Sequence, residues 1–200
     1  MCWSTQRVRF NSPGRPDVEP HHKLATRVEA SRQRGYPTLM KRVLLTGMSG
    51  TGKSTVINKL GELGYKVVDT DYGGFTIEAD SDEGPERLWR DDLIQEVLSA
   101  DDADVLFISG TSRNQVKFYP QFDHIVLLSA PAHVLVERLT TRTNNPYGKH
   151  SEELAETLRF LQTVEPMLRG QATLEIDTSA PLEHVITAIL EHVQPQLNAE

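Results

Sequence analysis

The amino-acid sequence predicts an α/β fold in which a parallel sheet of five strands lies between two layers of helices. Short apolar runs alternate with helical periods along residues 40–200. Most of these runs are continuously apolar, which is typical of strands buried on both faces. A glycine-rich loop joins the first run to the first helical period. Together these features indicate strands linked by crossover helices.

Each element is predicted from its local pattern. The strands are predicted at 42–46, 65–69, 104–109, 124–129 and 173–177. Helices are predicted at 53–63 and at 85–99, where Pro85 takes a favoured first helical position. Three more are predicted to open at Pro131, near Ser151 (extending to Met167) and at Pro181.

Residues 1–39 differ in composition from the rest of the chain. They contain seven Lys and Arg against three Asp and Glu, and Pro or Gly at six positions, with no sustained apolar period. This composition predicts a disordered or dispensable extension preceding a domain at 40–200. Since the whole chain has a formal charge of −7, the domain carries −11. An acidic domain argues against nucleic acid as the main partner.

Two further features bear on the compartment. The single cysteine, Cys2, excludes an intramolecular disulfide, so the reducing cytoplasm is the predicted location. No run approaches the ~18 apolar residues that a membrane span requires. We therefore expect no membrane partner.

The loop at residues 47–54, "GMSGTGKS", fits the pattern G-x-x-x-x-G-K-[ST] at every position. Its glycines allow successive backbone N–H groups to surround phosphate oxygens, and the following helix adds its positive end. The lysine supplies a cation at the outer phosphates, and the serine hydroxyl suits Mg²⁺. The motif predicts a nucleoside triphosphate site formed by Gly47, Ser49, Gly50, Thr51, Gly52, Lys53, Ser54 and Thr55.

Two carboxylates, Asp69 and Asp71, follow the second predicted strand in "VVDTDYGG". Alternation in an extended segment sends both to the same side, next to the phosphate loop. One can hold Mg²⁺ through water and the other can accept a hydroxyl proton. An ordinary acidic turn before Gly73-Gly74 is the alternative.

Residues 41–193 resemble the small P-loop metabolite kinases, the group of shikimate, gluconate, adenylate and nucleoside kinases. The resemblance depends on the phosphate loop, the Asp-x-Asp pair and "VLVERLTTR" at 134–142. It implies a P-loop NTPase-type three-layer sandwich with strand order 2-3-1-4-5 and a small lid at 143–149. It also implies ATP and Mg²⁺, and a catalytic role for Arg138 and Arg142 over the phosphates.

The same resemblance suggests an acceptor site. Strand three ends in "SGTSR", with Ser109 where adenylate-type kinases have an aspartate, while Gly110 and Arg113 keep their spacing. The metal-linked carboxylate must then be Asp69 or Asp71. This departure favours the shikimate kinase plan, in which Asp69 serves the metal and Asp71 the acceptor.

Arginines at two more positions resemble ligand-binding residues of these kinases. Arg90, in "ERLWRDD", resembles a substrate-binding arginine, and with Arg113 it suggests a carboxylate or phosphate on the acceptor. In "LRGQATLEIDTSAP", Arg169 is expected to stack on the adenine, and Ser179 to lie in the turn along it.

The predicted function is transfer of the γ-phosphoryl group of ATP to a hydroxyl, or a phosphate, of a small polar and even anionic metabolite. Lys53, Asp71, Arg138 and Arg142 are the predicted catalytic residues. The expected partners are ATP and the acceptor, and the protein is expected to be a monomer or homodimer. A nucleotide-binding ATPase or regulatory module without an acceptor is the alternative, as is a nucleoside monophosphate kinase. A GTPase fits less well, because Asn58-Lys59 lacks the aspartate of the guanine motif, and the domain is short for an AAA+ motor.

Overall fold

Eight strands are present in the computed structural model, which describes residues 6–8, 40–81, 84–143 and 145–194. In chain order they are β1 (Gln6–Val8), β2 (Lys41–Thr46), β3 (Lys66–Asp69), β4 (Thr76–Ser81), β5 (Gly84–Trp89), β6 (Val105–Ser109), β7 (His124–Ser129) and β8 (Leu174–Asp177). Six of them form one parallel sheet, and β4 and β5 form a separate antiparallel hairpin.

The order of the large sheet is β1-β8-β7-β2-β6-β3. The five predicted strands are therefore confirmed, in the predicted order. The sixth strand, β1, was not predicted. It pairs with Leu174–Ile176 at the edge of β8 and so satisfies backbone groups there. The remainder of 1–39 lies outside the described residues, so its prediction as an extension stays a prediction.

Helices cover both faces of this sheet. They are α1 (Lys53–Glu62), α2 (Asp91–Ser99), a 3₁₀ helix (Arg113–Gln121), α3 (Ala132–Thr141), α4 (Ser151–Thr163), α5 (Glu165–Gln171) and α6 (Leu182–Val193). Alternate strand residues face opposite layers: Val43 and Leu45 pack with α1 and α6, and Leu44 packs with α2. The three-layer α/β architecture is thus confirmed. Across the described ranges, every helix is too short or too polar to cross a membrane.

The predicted helix at 85–99 is wrong in its first part, because residues 84–89 form β5 and α2 begins at Asp91. Pairing runs from Thr76–Trp89 to Ser81–Gly84, so each β5 residue has a partner on β4. The Trp89 indole is buried, and its Nε1 donates to Thr70 Oγ1 at 2.9 Å. Cross-strand pairing and this burial outweigh the helix-start preference of Pro85.

The predicted long helix that begins near Ser151 is two helices, α4 and α5. Pro166 lies in the first turn of α5, where its missing N–H is tolerated, and it ends the hydrogen-bond ladder of α4. The 3₁₀ helix was not predicted at all. It packs Phe118 against the same face of the sheet as Trp89.

Candidate functional site

The glycine-rich loop connects the carboxyl end of β2 to α1. Gly52 has a left-handed backbone (φ 87°) and is the N-cap of α1, so the helix begins at Lys53 as predicted. A side chain is disfavoured at such a φ, which explains the glycine. The Thr51 hydroxyl donates to the Met48 carbonyl at 2.9 Å and fixes the loop. The first-turn N–H groups of α1 therefore face outward from the edge where ligands of such sheets bind.

Lys53 is half-buried inside this loop. Its Nζ donates to the carbonyls of Gly47 at 2.7 Å and Met48 at 3.1 Å. Burial lowers the pKa of Lys53, while the charges of Asp71 and Asp69 raise it. The ammonium is therefore a preformed cation close to both predicted carboxylates.

Asp69 ends β3 beside Ser109, the last residue of β6. The Asp69 Oδ1 atom accepts a hydrogen bond from the Asp71 N–H at 3.1 Å. Its Oδ2 atom and the Ser109 Oγ atom are buried, and neither has a hydrogen-bond partner within the described ranges. Burial raises the pKa of Asp69, whereas the nearby Ser54 hydroxyl and Lys53 lower it.

These oxygens suit a hydrated Mg²⁺ ion. Magnesium prefers oxygen ligands, keeps several waters and is usually bound through one or two carboxylates and substrate phosphates. The Asp69 carboxylate, which has an unsatisfied Oδ2 and lies near the Ser54 hydroxyl, matches that requirement. No cluster of three or more His, Cys, Asp or Glu that could hold a metal is found in the part of the chain the structure describes.

Asp71 is exposed, and its N–H donates to the Asp69 carboxylate. Its charge acts on both Lys53 and Arg142. The residue between the two acids, Thr70, points the other way. It is buried and its Oγ1 donates to the Ser109 carbonyl at 2.9 Å. The predicted extended segment is wrong for Asp71: β3 ends at Asp69, and the Tyr72 N–H donates to the Asp69 carbonyl at 3.2 Å, so Thr70 and Asp71 lie in a turn.

The two arginines of α3 have different environments. Arg138 donates to the Gly50 carbonyl at 3.4 Å, to Thr178 Oγ1 at 3.0 Å and to the Thr178 carbonyl at 2.6 Å. Its guanidinium thus joins the phosphate loop to the turn after β8, and it is held by the chain itself. The prediction that it contacts phosphate is not supported by these bonds.

Arg142 follows α3 and lies nearer the acids. It donates one hydrogen bond to the Tyr147 carbonyl at 2.7 Å, and its Nε is buried without a partner among the described residues. Burial lowers the pKa of Arg142, while Tyr147, Tyr72 and Asp71 raise it. Arg142 is therefore the arginine with donor capacity at the phosphate side, and Tyr147 belongs to the predicted lid segment.

Arg169 and Ser179, the two residues predicted to lie along the adenine, have different surroundings in the structure. Arg169 donates to Glu175 at 2.8 and 3.1 Å and to Glu165 at 2.6 Å. Both carboxylates are buried, so they require this counter-charge. Arg169 consequently lies against the middle of β8 and not at its carboxyl end. Ser179 is exposed in the turn and donates its N–H and hydroxyl to Asp177 Oδ1.

The predicted acceptor residues are also placed. Gly110 follows β6, and a Cβ there would overlap Thr70 Oγ1, so only glycine fits. Arg90 is the N-cap of α2, and its guanidinium pairs with Asp92. Arg113 begins the 3₁₀ helix and pairs with Glu86 of the hairpin. Thr55, predicted at the phosphates, is exposed on α1.

Sequence reasoning missed two residues that shape the site. Thr111 Oγ1 accepts from the Gly47 N–H at 3.2 Å and donates to the Gly47 carbonyl at 2.8 Å, which ties the loop to the end of β6. Trp89 is the second, because its bond to Thr70 connects the hairpin to the acid pair. The position of Thr111 directly after "SG" at a strand end was the available signal.

Several characterised proteins are similar to this chain. A shikimate kinase of Caldicellulosiruptor bescii is 27% identical over 150 residues, covering 70% of this chain and 87% of that protein. A nucleotide-binding protein of Thermus thermophilus is 32% identical over 151 residues, and the match covers 70% of this chain but only 48% of that protein. This chain therefore spans about half the length of that nucleotide-binding protein.

Solved structures support the fold. The shikimate kinase of Acinetobacter baumannii in complex with shikimate superposes with a TM-score of 0.57 at 20% identity, covering 81% of this chain and 97% of that one. A gluconokinase of Sinorhizobium meliloti gives 0.52 at 21% identity, covering 78% and 92%. A sequence model described as an AAA domain matches residues 43–159, which include the phosphate loop, both acids and both α3 arginines. The chain belongs to this AAA domain family of P-loop proteins.

Proposed function

We propose that the protein is an ATP-dependent phosphotransferase that moves the γ-phosphoryl group to a hydroxyl of a small polar metabolite. The observation that carries this proposal is the convergence at the loop: the Lys53 ammonium lies within the field of Asp69, Asp71 and Arg142. A phosphate loop alone would hold a nucleotide. An exposed carboxylate and a second cation next to it supply what transfer to an acceptor needs.

The chain's own groups have separate roles in this proposal. The N–H groups of the loop and of the first turn of α1 hold the phosphates, and Lys53 and Arg142 stabilise charge on the transferred group. Asp71 accepts the proton of the acceptor hydroxyl while the oxygen of that hydroxyl forms a bond to the γ-phosphorus. The bond between that phosphorus and the β-phosphate oxygen breaks, and ADP leaves. Ser54 and Asp69 would hold Mg²⁺, which neutralises phosphate charge when bound.

The relatives support this function at the level of reaction class. The similar proteins include a shikimate kinase and, by fold, a gluconokinase. The 32%-identical relative, however, is named only as a nucleotide-binding protein. This favours one competing proposal, a module that binds ATP without a dedicated acceptor. A cytoplasmic location and a monomeric or homodimeric state stay predictions.

Acceptor-stimulated ADP release separates the two functions. The protein is incubated with Mg²⁺, ATP and a panel of hydroxylated metabolites and nucleoside monophosphates, and ADP is measured in a coupled assay. The transferase predicts that at least one compound raises ADP release well above the rate with ATP alone. Tight ATP binding with no stimulation by any compound favours the binding module.

The Asp71→Asn variant tests the proton-accepting role. Asparagine keeps the size of the side chain but cannot take the proton, so we expect transfer to fall by about 10²–10⁴-fold while ATP affinity is nearly unchanged. Isothermal titration with an ATP analogue provides the affinity. Unchanged transfer in this variant would remove Asp71 from that role.

A further inference from the structure

We infer that the acceptor is an uncharged, hydroxyl-bearing ring compound and not a carboxylate or phosphate. This inference depends on the proposed function and specifies its substrate class. It reverses the expectation drawn from Arg90 and Arg113, because the structure changes what those arginines can do. Three observations on the acceptor side, which comprises residues 71–92 and 113–121, carry it.

The first observation is that both arginines are already engaged by carboxylates. Arg90 binds Asp92 through two bonds, Nη2 to Oδ2 at 2.6 Å and Nε to Oδ1 at 3.2 Å. This is the bidentate geometry that a substrate carboxylate would otherwise take. Arg113 Nη1 lies 3.2 Å from Glu86 Oε2. An anionic acceptor would have to displace one of these partners.

The second observation concerns the other charges nearby. Arg87 donates to Thr76 Oγ1 at 2.8 Å and Lys117 to Asp91 Oδ2 at 2.8 Å, so every Lys and Arg described on the acceptor side is bonded to the chain. The described residues between 71 and 92 include six carboxylates and two guanidinium groups. This excess repels an anion approaching Asp71, and like-charge repulsion is a common means of excluding a wrong partner.

The third observation is an exposed aromatic ring at the same place. Tyr72 directly follows Asp71 and is 61% exposed. Tyr72 is among the groups that raise the pKa of Arg142. Small-molecule sites commonly combine an aromatic face with a few polar groups, and an aromatic face packs against a ring. The Asp71 carboxylate can therefore accept a hydrogen bond from a substrate hydroxyl. The neighbouring Tyr72 ring offers a surface on which a substrate ring can stack.

Matched pairs of compounds test the charge preference. We would titrate the full chain, with Mg²⁺ and a non-hydrolysable ATP analogue present, with glucose and glucuronate, shikimate and its methyl ester, and uridine and uridine monophosphate. Each pair shares a ring and differs in one anionic group. The inference predicts that the neutral member binds at least tenfold more tightly in any pair that binds. Tighter binding of the anionic member, or binding of no compound, overturns it.

Substitutions at the ion pairs and at Tyr72 test what causes the preference for a neutral acceptor. Glu86→Gln combined with Asp92→Asn removes one carboxylate partner from each guanidinium group, so affinity for glucuronate or uridine monophosphate should rise at least fivefold. Equal affinity in the wild type and the double variant overturns the proposed role of these ion pairs. Tyr72→Ala should weaken the best neutral ligand at least fivefold, and Tyr72→Phe should restore it. Met167→Ala, at an exposed residue of α5, is the matched control with no expected effect.

The two proposals fail in different ways. If the ATP analogue does not bind, or no compound stimulates ADP release, the phosphotransferase function fails and the acceptor class fails with it. If an anionic compound is phosphorylated in preference to its neutral partner, the function is supported and only the acceptor class is wrong.

Discussion

Arg138 is the residue whose role the structure changes most, and replacing it with methionine isolates that role. The guanidinium joins Gly50 of the phosphate loop to Thr178 of the turn after β8. Methionine keeps the apolar stem and removes all three hydrogen bonds. The variant therefore loses the hydrogen bonds by which Arg138 joins the loop to the turn.

The magnitude follows from the bonds. Two of the three are short, at 2.6 and 3.0 Å, and the bond to Gly50 at 3.4 Å is weak. A hydrogen bond to a charged group contributes about 1.5–3 kcal/mol. Because Arg138 is only half-buried and one group makes all three bonds, we expect a total loss of about 2 kcal/mol in the free energy of unfolding. For 150–250 residues this corresponds to a fall in Tm of about 4–8 °C.

Denaturant unfolding measures the loss, and Arg159→Met is the control. Arg159 is exposed on α4, with its guanidinium 4.9 Å above the Phe160 ring. An exposed contact of this kind contributes about 0.5–1 kcal/mol. Equal free energies of unfolding in the two variants would refute the bridging role. A loss of phosphoryl transfer without any loss of stability would instead restore Arg138 to the phosphates.

Two further predictions concern titrating groups. Asp69→Asn should raise the free energy of unfolding near pH 7 without Mg²⁺, because burial raises the pKa of Asp69 and penalises its ionised form. This gain in stability should fade as pH falls through that pKa. The affinity for Mg²⁺ in the presence of ATP, measured by titration, should drop about 10–100-fold. The pKa of His124 is lowered to about 4, mainly by burial and also by the charges of His192 and Lys41, while Asp123 opposes the shift. The neutral imidazole of His124 therefore stabilises the fold at higher pH. Stability should therefore be lost as pH falls from 6.5 towards about 4, and His124→Phe, which keeps the ring contact with His192, should flatten that dependence in acid unfolding. An unchanged pH slope in that variant would contradict the assignment.

The sequence predicted the elements whose signals are local. The strand runs and the glycine loop each depend on a few neighbouring residues, and these predictions agree with the structure. At Asp69 and Asp71 the structure has the acidic turn that was the alternative to an extended segment. The hairpin at 76–89 was missed because Pro85 carries a helix-start signal, while the pairing that overrides it comes from residues across the turn. The pairing depends on both strands at once, and a helix period read from one segment alone does not reveal it.

The contacts of several predicted site residues differ from those expected from the sequence, for a related reason. The chemistry of an arginine is general, and its partner decides its role. Glu175 lies six residues beyond Arg169, Thr178 forty beyond Arg138, and both are in contact only after β8 joins the sheet. Asp92, beside Arg90, was visible in the sequence, but an arginine and a carboxylate two residues apart do not predict a bidentate pair. The unsatisfied oxygens of Asp69 and Ser109 likewise become neighbours only through strand register.

The central claim is that the loop at 47–54, with the Lys53 ammonium inside it, binds the phosphates of ATP. Calorimetric titration of ATP and of adenosine into the wild type and Lys53→Ala, with Mg²⁺ present, tests it most directly. The account predicts that the wild type binds ATP much more tightly than adenosine, and that Lys53→Ala abolishes this difference. A wild type that takes up no ATP, or a variant that keeps the full preference for ATP, would contradict it.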